Sequence, residues 1–270
     1  MNPTIISLPS IANPSKIDWK LNRMDARFQS PLSGAIQDIV RPGAYWTADM
    51  SWNVLSYSDS QALQGWAVQM SRGGFRTAMS NFSYVMQGSG LGSPTISGGT
   101  QTGTSLTTAG WTASKTNVLK IGDMIGVYKG KITFVTAPTN TYAITAKDYY
   151  GNSISIGTGD GSTKLFNLPV TFYTGYAVYV NGVLQTYTTD YTTVANHQLL
   201  MITQNASSNG SGVATLNFEP VLRFSPDSGN PVILTTPSAV FAFAKPDASI
   251  SYTAPRIASF ALSLVEDIQL

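Results

Sequence analysis

The chain has 270 residues, 16 of them Lys or Arg and 14 Asp or Glu, so the net charge is +2 and the charged fraction 11%, against roughly 25% in an average soluble domain. With 43% hydrophobic residues, this excludes a disordered polyelectrolyte and a nucleic-acid binder that tracks phosphates by charge. One His and no Cys exclude a disulfide framework, a thiolate nucleophile, a thiolate metal site and a two-His metal site within one chain.

The missing charge is replaced by 30 Ser, 30 Thr and 24 Gly, which predicts a neutral, hydroxyl-rich surface over a normal core. The opening residues Met1 to Lys16 lack a basic stretch followed by an apolar one, so they do not read as a secretory signal. No run of 18 apolar residues occurs, so no membrane span is predicted. A helix is predicted near 59–71. Ser58 and Asp59 are its cap candidates, and Ala62, Leu63, Trp66, Ala67 and Met70 form one apolar stripe. Gly73-Gly74 supplies the left-handed residue that closes it. Residues 77–114 carry no charged side chain. Within them the Gly-rich stretch 87–108 reads as an extended arm ordered by a neighbouring subunit, with Gln87, Gly90, Leu91, Ile96 and Leu106 as candidate contacts.

The remainder reads as short strands rich in Val, Ile, Thr, Tyr and Phe, separated by Gly, Pro, Asn and Ser. Clear examples are Lys131–Thr136, Tyr176–Val180, Val183–Tyr187, Gly212–Phe218 and Ala239–Ala244. Asn181-Gly182 predicts a type I′ hairpin turn, because both central positions need positive φ. Asp160-Gly161 marks a second turn.

Catalytic chemistry finds little support in these residues. His197 is the one imidazole, and no Gly-x-Ser-x-Gly elbow precedes a helix; it reads as an ordinary strand-edge or loop histidine. The acidic residues are spread almost evenly, mostly beside Gly, Ser, Pro or Tyr. They read as turn and solubility residues, and sequence does not bring any two within the ~5–9.5 Å that glycoside hydrolysis needs. The segment Gly157–Lys164 lacks the spacing of a phosphate loop and reads as a tight turn. Tyrosines crowd the region 142–191, and Tyr149, Tyr150, Tyr173 and Tyr187 are candidate glycan contacts, since a phenol ring pairs an apolar face with a polar rim. No cofactor is predicted.

Several segments, in order, resemble distal tail or baseplate-hub proteins of long-tailed bacteriophages. They are Ser30-Pro-Leu-Ser-Gly-Ala-Ile-Gln-Asp-Ile-Val-Arg-Pro-Gly43 followed by Trp46 and Trp52; Ala62-Leu-Gln64 with Ser71-Arg-Gly-Gly74; Gln101-Thr-Gly-Thr-Ser-Leu-Thr-Thr-Ala-Gly-Trp111; Val118-Leu-Lys-Ile-Gly-Asp123; and Asn209-Gly-Ser-Gly-Val-Ala-Thr-Leu-Asn-Phe-Glu-Pro220 with Leu222-Arg223. The likeness covers roughly 30–127 and 197–266. About 70 residues interrupt it, and 129–196 reads as an inserted domain. The insert resembles a β module of phage tail and fibre proteins through Asp160-Gly-Ser-Thr-Lys-Leu-Phe-Asn-Leu-Pro169, Tyr176–Gln185 and Asp190-Tyr-Thr192. Ile132–Pro138, which normally comes last in that module, comes first. The module thus reads as circularly permuted, which requires its two ends to lie on neighbouring strands.

These readings combine into an all-β fold with one helix: a β-barrel or sandwich body from 1–128 and 197–270, carrying an inserted β-sandwich-like domain at 129–196. The resemblance implies a structural virion protein that forms a ring, usually hexameric, at the distal end of a phage tail. Its partners would be copies of itself, the tail tube protein and the tip or hub proteins. Three alternatives stand beside it. One is a carbohydrate-binding adhesin working through the Tyr-rich insert on a host surface glycan. The others are a cell-wall hydrolase and a tail-tube or head–tail joining protein.

Overall fold

A computed structural model describes the chain except for residues 1–3, 12, 40–42, 140, 148–152, 169–176, 187–188, 246–249, 254–256 and 269–270. In chain order the first elements are β1 (Thr4–Ile5), β2 (Lys16–Asn22), β3 (Ala26–Gln29), β4 (Ile36–Ile39), β5 (Tyr45–Leu55), α1 (Tyr57–Met70) and β6 (Phe75–Ser80). Then come β7 (Gly92–Ile96), β8 (Ser105–Trp111), β9 (Met124–Phe134), β10 (Ala143–Lys147), β11 (Ser153–Thr158), β12 (Leu165–Asn167), β13 (Ala177–Val180) and β14 (Val183–Leu184). The last are β15 (Tyr191–Ile202), β16 (Ala214–Glu219), β17 (Ser238–Phe243), β18 (Ile250–Thr253) and β19 (Ile257–Glu266). The fold is all-β with one helix.

One sheet runs β1-β6-β17-β19-β5-β2, with β18 added on β19. Strand β5 shows why it forms. Trp46, Ala48, Met50 and Trp52 are buried while Tyr45, Thr47, Asp49 and Ser51 alternate with them half-buried, the period of two that puts one face in the core. Helix α1 covers part of that core with Leu63, Trp66, Ala67 and Met70, at i, i+3, i+4 and i+7. The indole of Trp66 meets Phe243 edge-on at 5.6 Å. The helix begins two residues earlier than its stripe predicts, and Ala62 is exposed. Its cap is Ser56 rather than Ser58 or Asp59: Ser56 keeps an extended backbone and its hydroxyl accepts from the Asp59 amide at 3.1 Å, the geometry of an N-cap.

A second sheet runs β12-β9-β15-β16-β8-β7 over its own core of Ile96, Leu106, Trp111, Ile125, Leu200, Leu216 and Phe218. A polar lock fastens the two sheets. The Trp46 indole donates to the Leu199 carbonyl at 2.9 Å. The guanidinium of Arg223 pairs with the buried Glu266 carboxylate, whose Oε2 also accepts the Trp46 amide at 3.0 Å. Gln198 closes the network, accepting the Arg223 amide at 2.9 Å and donating to the Val221 carbonyl at 2.8 Å. Such a pair tolerates burial because its remaining hydrogen-bonding positions are also filled.

Residues 129–196 extend from the second sheet. Strands β9 and β15 form one unbroken antiparallel ladder from Met124↔Met201 at the body to Phe134↔Tyr191 in the insert. The junctions read from sequence fall on directly paired residues, Tyr128↔His197, so the insert's two ends are neighbours. Beyond them a separate core of Ile132, Phe134, Ile144, Ala146, Leu168, Val178 and Tyr191 lies between the ladder, widened by β12, and a sheet of order β11-β10-β13-β14. The Asn181-Gly182 turn joins β13 to β14 with φ of 50° and 79°, as a type I′ turn requires.

Candidate assembly interface

The stretch 87–108 is not a free arm; it folds back on its own chain. The Asp123 carboxylate, fully buried, accepts the Gln87 amide at 2.6 Å, the Gly88 amide at 2.9 Å and the Lys120 amide at 2.8 Å. The amide of Gly90 then donates to Val118 O at 2.9 Å. Strands β7 and β8 pair with each other, and β8 pairs with β16. Gln101 staples the loop between them, its side chain accepting the Thr107 amide at 2.6 Å and donating to the carbonyls of Ser97 and Thr107. Two glycines explain why a composition that reads as flexible is instead tightly fitted. A Cβ on Gly88 would lie 2.5 Å from Val118 O, and one on Gly92, at φ +112°, 2.4 Å from Gly110 O. Of the candidate contacts, Ile96 and Leu106 belong to the chain's own core. Gln87 and Gly90 are tied down through their backbones, and Leu91 alone offers a large apolar side chain, 45% exposed.

The element without a further strand partner among the described residues lies elsewhere. Strands β3 and β4 form a two-stranded sheet that pairs with no other strand among the described residues. Directly opposed residues share a face, so Ala26, Phe28, Gln37 and Ile39 lie on one side and Arg27, Gln29 and Ile36 on the other. Phe28 and Ile36 are each 58% exposed, Ile39 42%, and Leu32 at the tip 98%. Met24 at the root is 55% exposed. The tip closes by bonds from the Ser30 amide to Ala35 O and the Gly34 amide to Ser30 O. At the root, Arg23 reaches Asp25 and Glu219. A solitary hairpin is at best marginally stable in water, and this one carries an apolar surface and open backbone edges. The sequence does hold a signal for it: Ser30-Pro-Leu-Ser-Gly34 is turn chemistry between two short runs of mixed polarity.

The other candidates separate clearly. Tyr149, Tyr150, Tyr173 and Tyr187 lie outside the described residues. Near the Asn181-Gly182 turn the insert has an open cleft of about 470 Å³, lined among others by Tyr142, Val183, Asn181, Gln185 and Asp190. His197 lies in the β9–β15 ladder opposite Tyr128, 8% exposed, its ring stacked on that of Tyr128 at 5.9 Å. Burial, with the charge of Asp227 second, pushes the Tyr128 phenol up. The structure does bring two carboxylates together, Asp18 opposite Asp49 on β2 and β5. Lys16 lies 2.6 Å from Asp18 and Lys20 3.9 Å from Asp49. The Lys16 hydrogen bond holds Asp18 below the usual carboxylate range, opposite to what a general acid needs. Asp160 accepts the amides of Ser162 and Thr163 and the Thr163 hydroxyl, and Lys164 donates to the Val135 carbonyl, so 157–164 forms a self-satisfied turn. Among the described residues no group of three His, Asp or Glu could hold a metal ion, and no helix is long and apolar enough to cross a membrane.

No family model matches the sequence, and no curated protein matches it significantly.

Proposed function

We propose that this chain is a structural subunit that works by assembling with copies of itself, and that its place is the tail of a long-tailed bacteriophage. The observation that carries self-assembly is the β3–β4 hairpin, a two-stranded element that exposes Phe28, Leu32, Ile36 and Ile39 and has no partner strand among the described residues of its own subunit. An edge of this kind is closed by strand addition or by burial against another chain. The low charge of the surface favours large permanent contacts, whose cores are depleted in charge. The resemblance in the sequence motifs narrows the assembly to a ring at the distal end of the tail, six-membered in that group, between the tail tube and the tip or hub proteins. A head-to-tail contact that closes on itself stops at a fixed number of subunits. In this reading the protein turns over no substrate.

The experiment is native mass measurement of the purified full chain over a concentration series, with labelled particles imaged for position. The expected result is a closed oligomer that is lost when Phe28 and Leu32 are both replaced by Ser, and a location at the tail end. A chain that stays monomeric at all concentrations and is absent from virions overturns the proposal.

A second reading, glycan adhesion through the insert, draws on the cleft beside Tyr142, where an aromatic ring lies among planar polar side chains. It predicts saccharide binding by the full chain on a glycan array, abolished by Tyr142→Ala. Unchanged binding in that variant removes the cleft from the reading.

A further inference from the structure

The hairpin needs a receiving surface, and the structure offers one. A groove of about 360 Å³ runs beside β7, lined by Met86, Gly92, Pro94, Val232 and Leu234 and by no charged side chain. Its wall is built by the segment 229–233, which bonds to β7 through the Ile96 amide on Asn230 O at 2.8 Å and the Val232 amide on Pro94 O at 2.9 Å. The groove is therefore a fixed feature of the second sheet rather than a gap between loops. The hairpin tip, Ser30-Pro-Leu-Ser-Gly-Ala35, is likewise uncharged, and Leu32 projects from it almost fully exposed.

We propose that the Leu32 tip of one copy seats in this groove of the next copy. Such a contact rests on the self-assembly reading above, and three further observations carry it. The first is charge matching: no ionised group lies on the tip or in the groove, so contact desolvates no charge. The second is area. Leu32 is 98% exposed at the tip and Phe28 58% exposed on one face of the hairpin, so seating the tip takes out of water apolar surface that its own subunit leaves uncovered. The third is placement. The hairpin root is tied by Arg23 to Glu219, at one end of β16. The groove flanks Gly92, which pairs with Trp111, whose amide in turn donates to the Gly212 carbonyl, beyond the other end of β16. The two ends of that strand are separated by about 17 Å at ~3.4 Å per residue. Tip and groove are thus two different patches, and their contact is head-to-tail, the kind that generates rings.

The chain has no cysteine, so introduced thiols are the only ones present. The test is the full-length double variant Leu32→Cys/Ser93→Cys, with Leu32→Cys/Thr235→Cys as a second pair on the groove rim. Each is oxidised mildly at concentrations where the chain assembles. The expected result is a reducible ladder of covalent multimers ending at the ring, absent from each single variant. Normal assembly with no ladder from either pair overturns the tip-in-groove contact and leaves self-assembly standing. Covalent dimers from Leu32→Cys alone overturn it in favour of tip-to-tip contact. Cross-linking of Leu32→Cys to another tail protein in purified particles, with none between copies, also overturns it. A chain that never self-associates removes the reading beneath it as well. Leu32→Asp, at a position almost fully exposed, is expected to weaken assembly at least tenfold while leaving the unfolding midpoint of the dilute, unassembled chain unchanged.

Discussion

The two turn-rich segments of the body, 87–108 and 26–39, behave in opposite ways. The former has the composition of a flexible arm, yet it is a fitted part of the second sheet, with its backbone clamped by Asp123 and Gly88 and Gly92 pressed against neighbouring main chain. The latter has the pattern of two ordinary short strands, yet it makes no sheet with the other described strands of the subunit. Low charge and glycine content therefore say little about which segment is free. What decides is whether the backbone amides find acceptors in the rest of the body. In 87–90 they find a carboxylate and the carbonyls of 117–118; in β3 and β4 the strand pairing stays within the hairpin.

The sharpest way to break this comparison is to remove the clamp. Asp123→Ala leaves three amides without their acceptor, and an unsatisfied buried group costs about 1–3 kcal/mol. The expected loss is about 4 kcal/mol or more, a large share of a domain's stability, read as a lower urea midpoint. A loss below about 1 kcal/mol contradicts the claim that the carboxylate organises 87–120. Nearly as large an effect is expected from Arg223→Met, which strands the buried Glu266 carboxylate at about 3–5 kcal/mol. The double change Arg223→Met/Glu266→Leu is expected to recover much of it, because the uncompensated charge then disappears.

Much of the fold was legible in the residues alone. The strand-rich pattern, the Leu63–Met70 stripe and the Asn181-Gly182 turn all rest on local rules of period and φ. The pairing of Tyr128 with His197 agrees with a residue pattern that resumes after an interruption, which needs the two ends of 129–196 close together. The groups that hold the sheets together were not. Arg223 and Gln198 are far from Glu266 in sequence, and nothing local marks Glu266 as a buried residue at the end of its strand. His197 shows the same limit: a strand position is readable from its motif, whereas its burial is set by the Tyr128 ring opposite it in the ladder. The hairpin was legible as turn chemistry but not as free, since only the pairing of the other strands shows that it stands apart from them.

Tyr84 sharpens the comparison from the fixed side. Its hydroxyl donates to the Met124 carbonyl at 3.3 Å, and burial, aided by the nearby Asp123, pushes the phenol up to about 12. An unfolded tyrosine ionises near pH 10. The folded state thus holds the Tyr84 proton more tightly, and the stability this gives is complete below about pH 10 and lost as pH rises toward 12. Tyr84→Phe is expected to flatten the decline of the melting temperature between pH 10 and 12 and to remove one late-ionising phenol from an ultraviolet titration. An unchanged titration curve would mean that the 81–88 segment is open to solvent.

The smallest effect expected is the most informative for the free side. Leu32→Ser and Phe28→Ser remove apolar groups that are largely exposed in their own subunit, so the monomer's unfolding free energy should change by less than about 0.5 kcal/mol. Dilution is essential, because a partner that binds only the folded chain raises apparent stability by mass action. The wild-type melting temperature is therefore expected to climb with concentration while that of the variants stays flat, and the curves should meet at the dilute end. If the variants instead melt lower at every concentration by the same amount, the hairpin is packed against its own subunit, and the contrast between the two segments collapses.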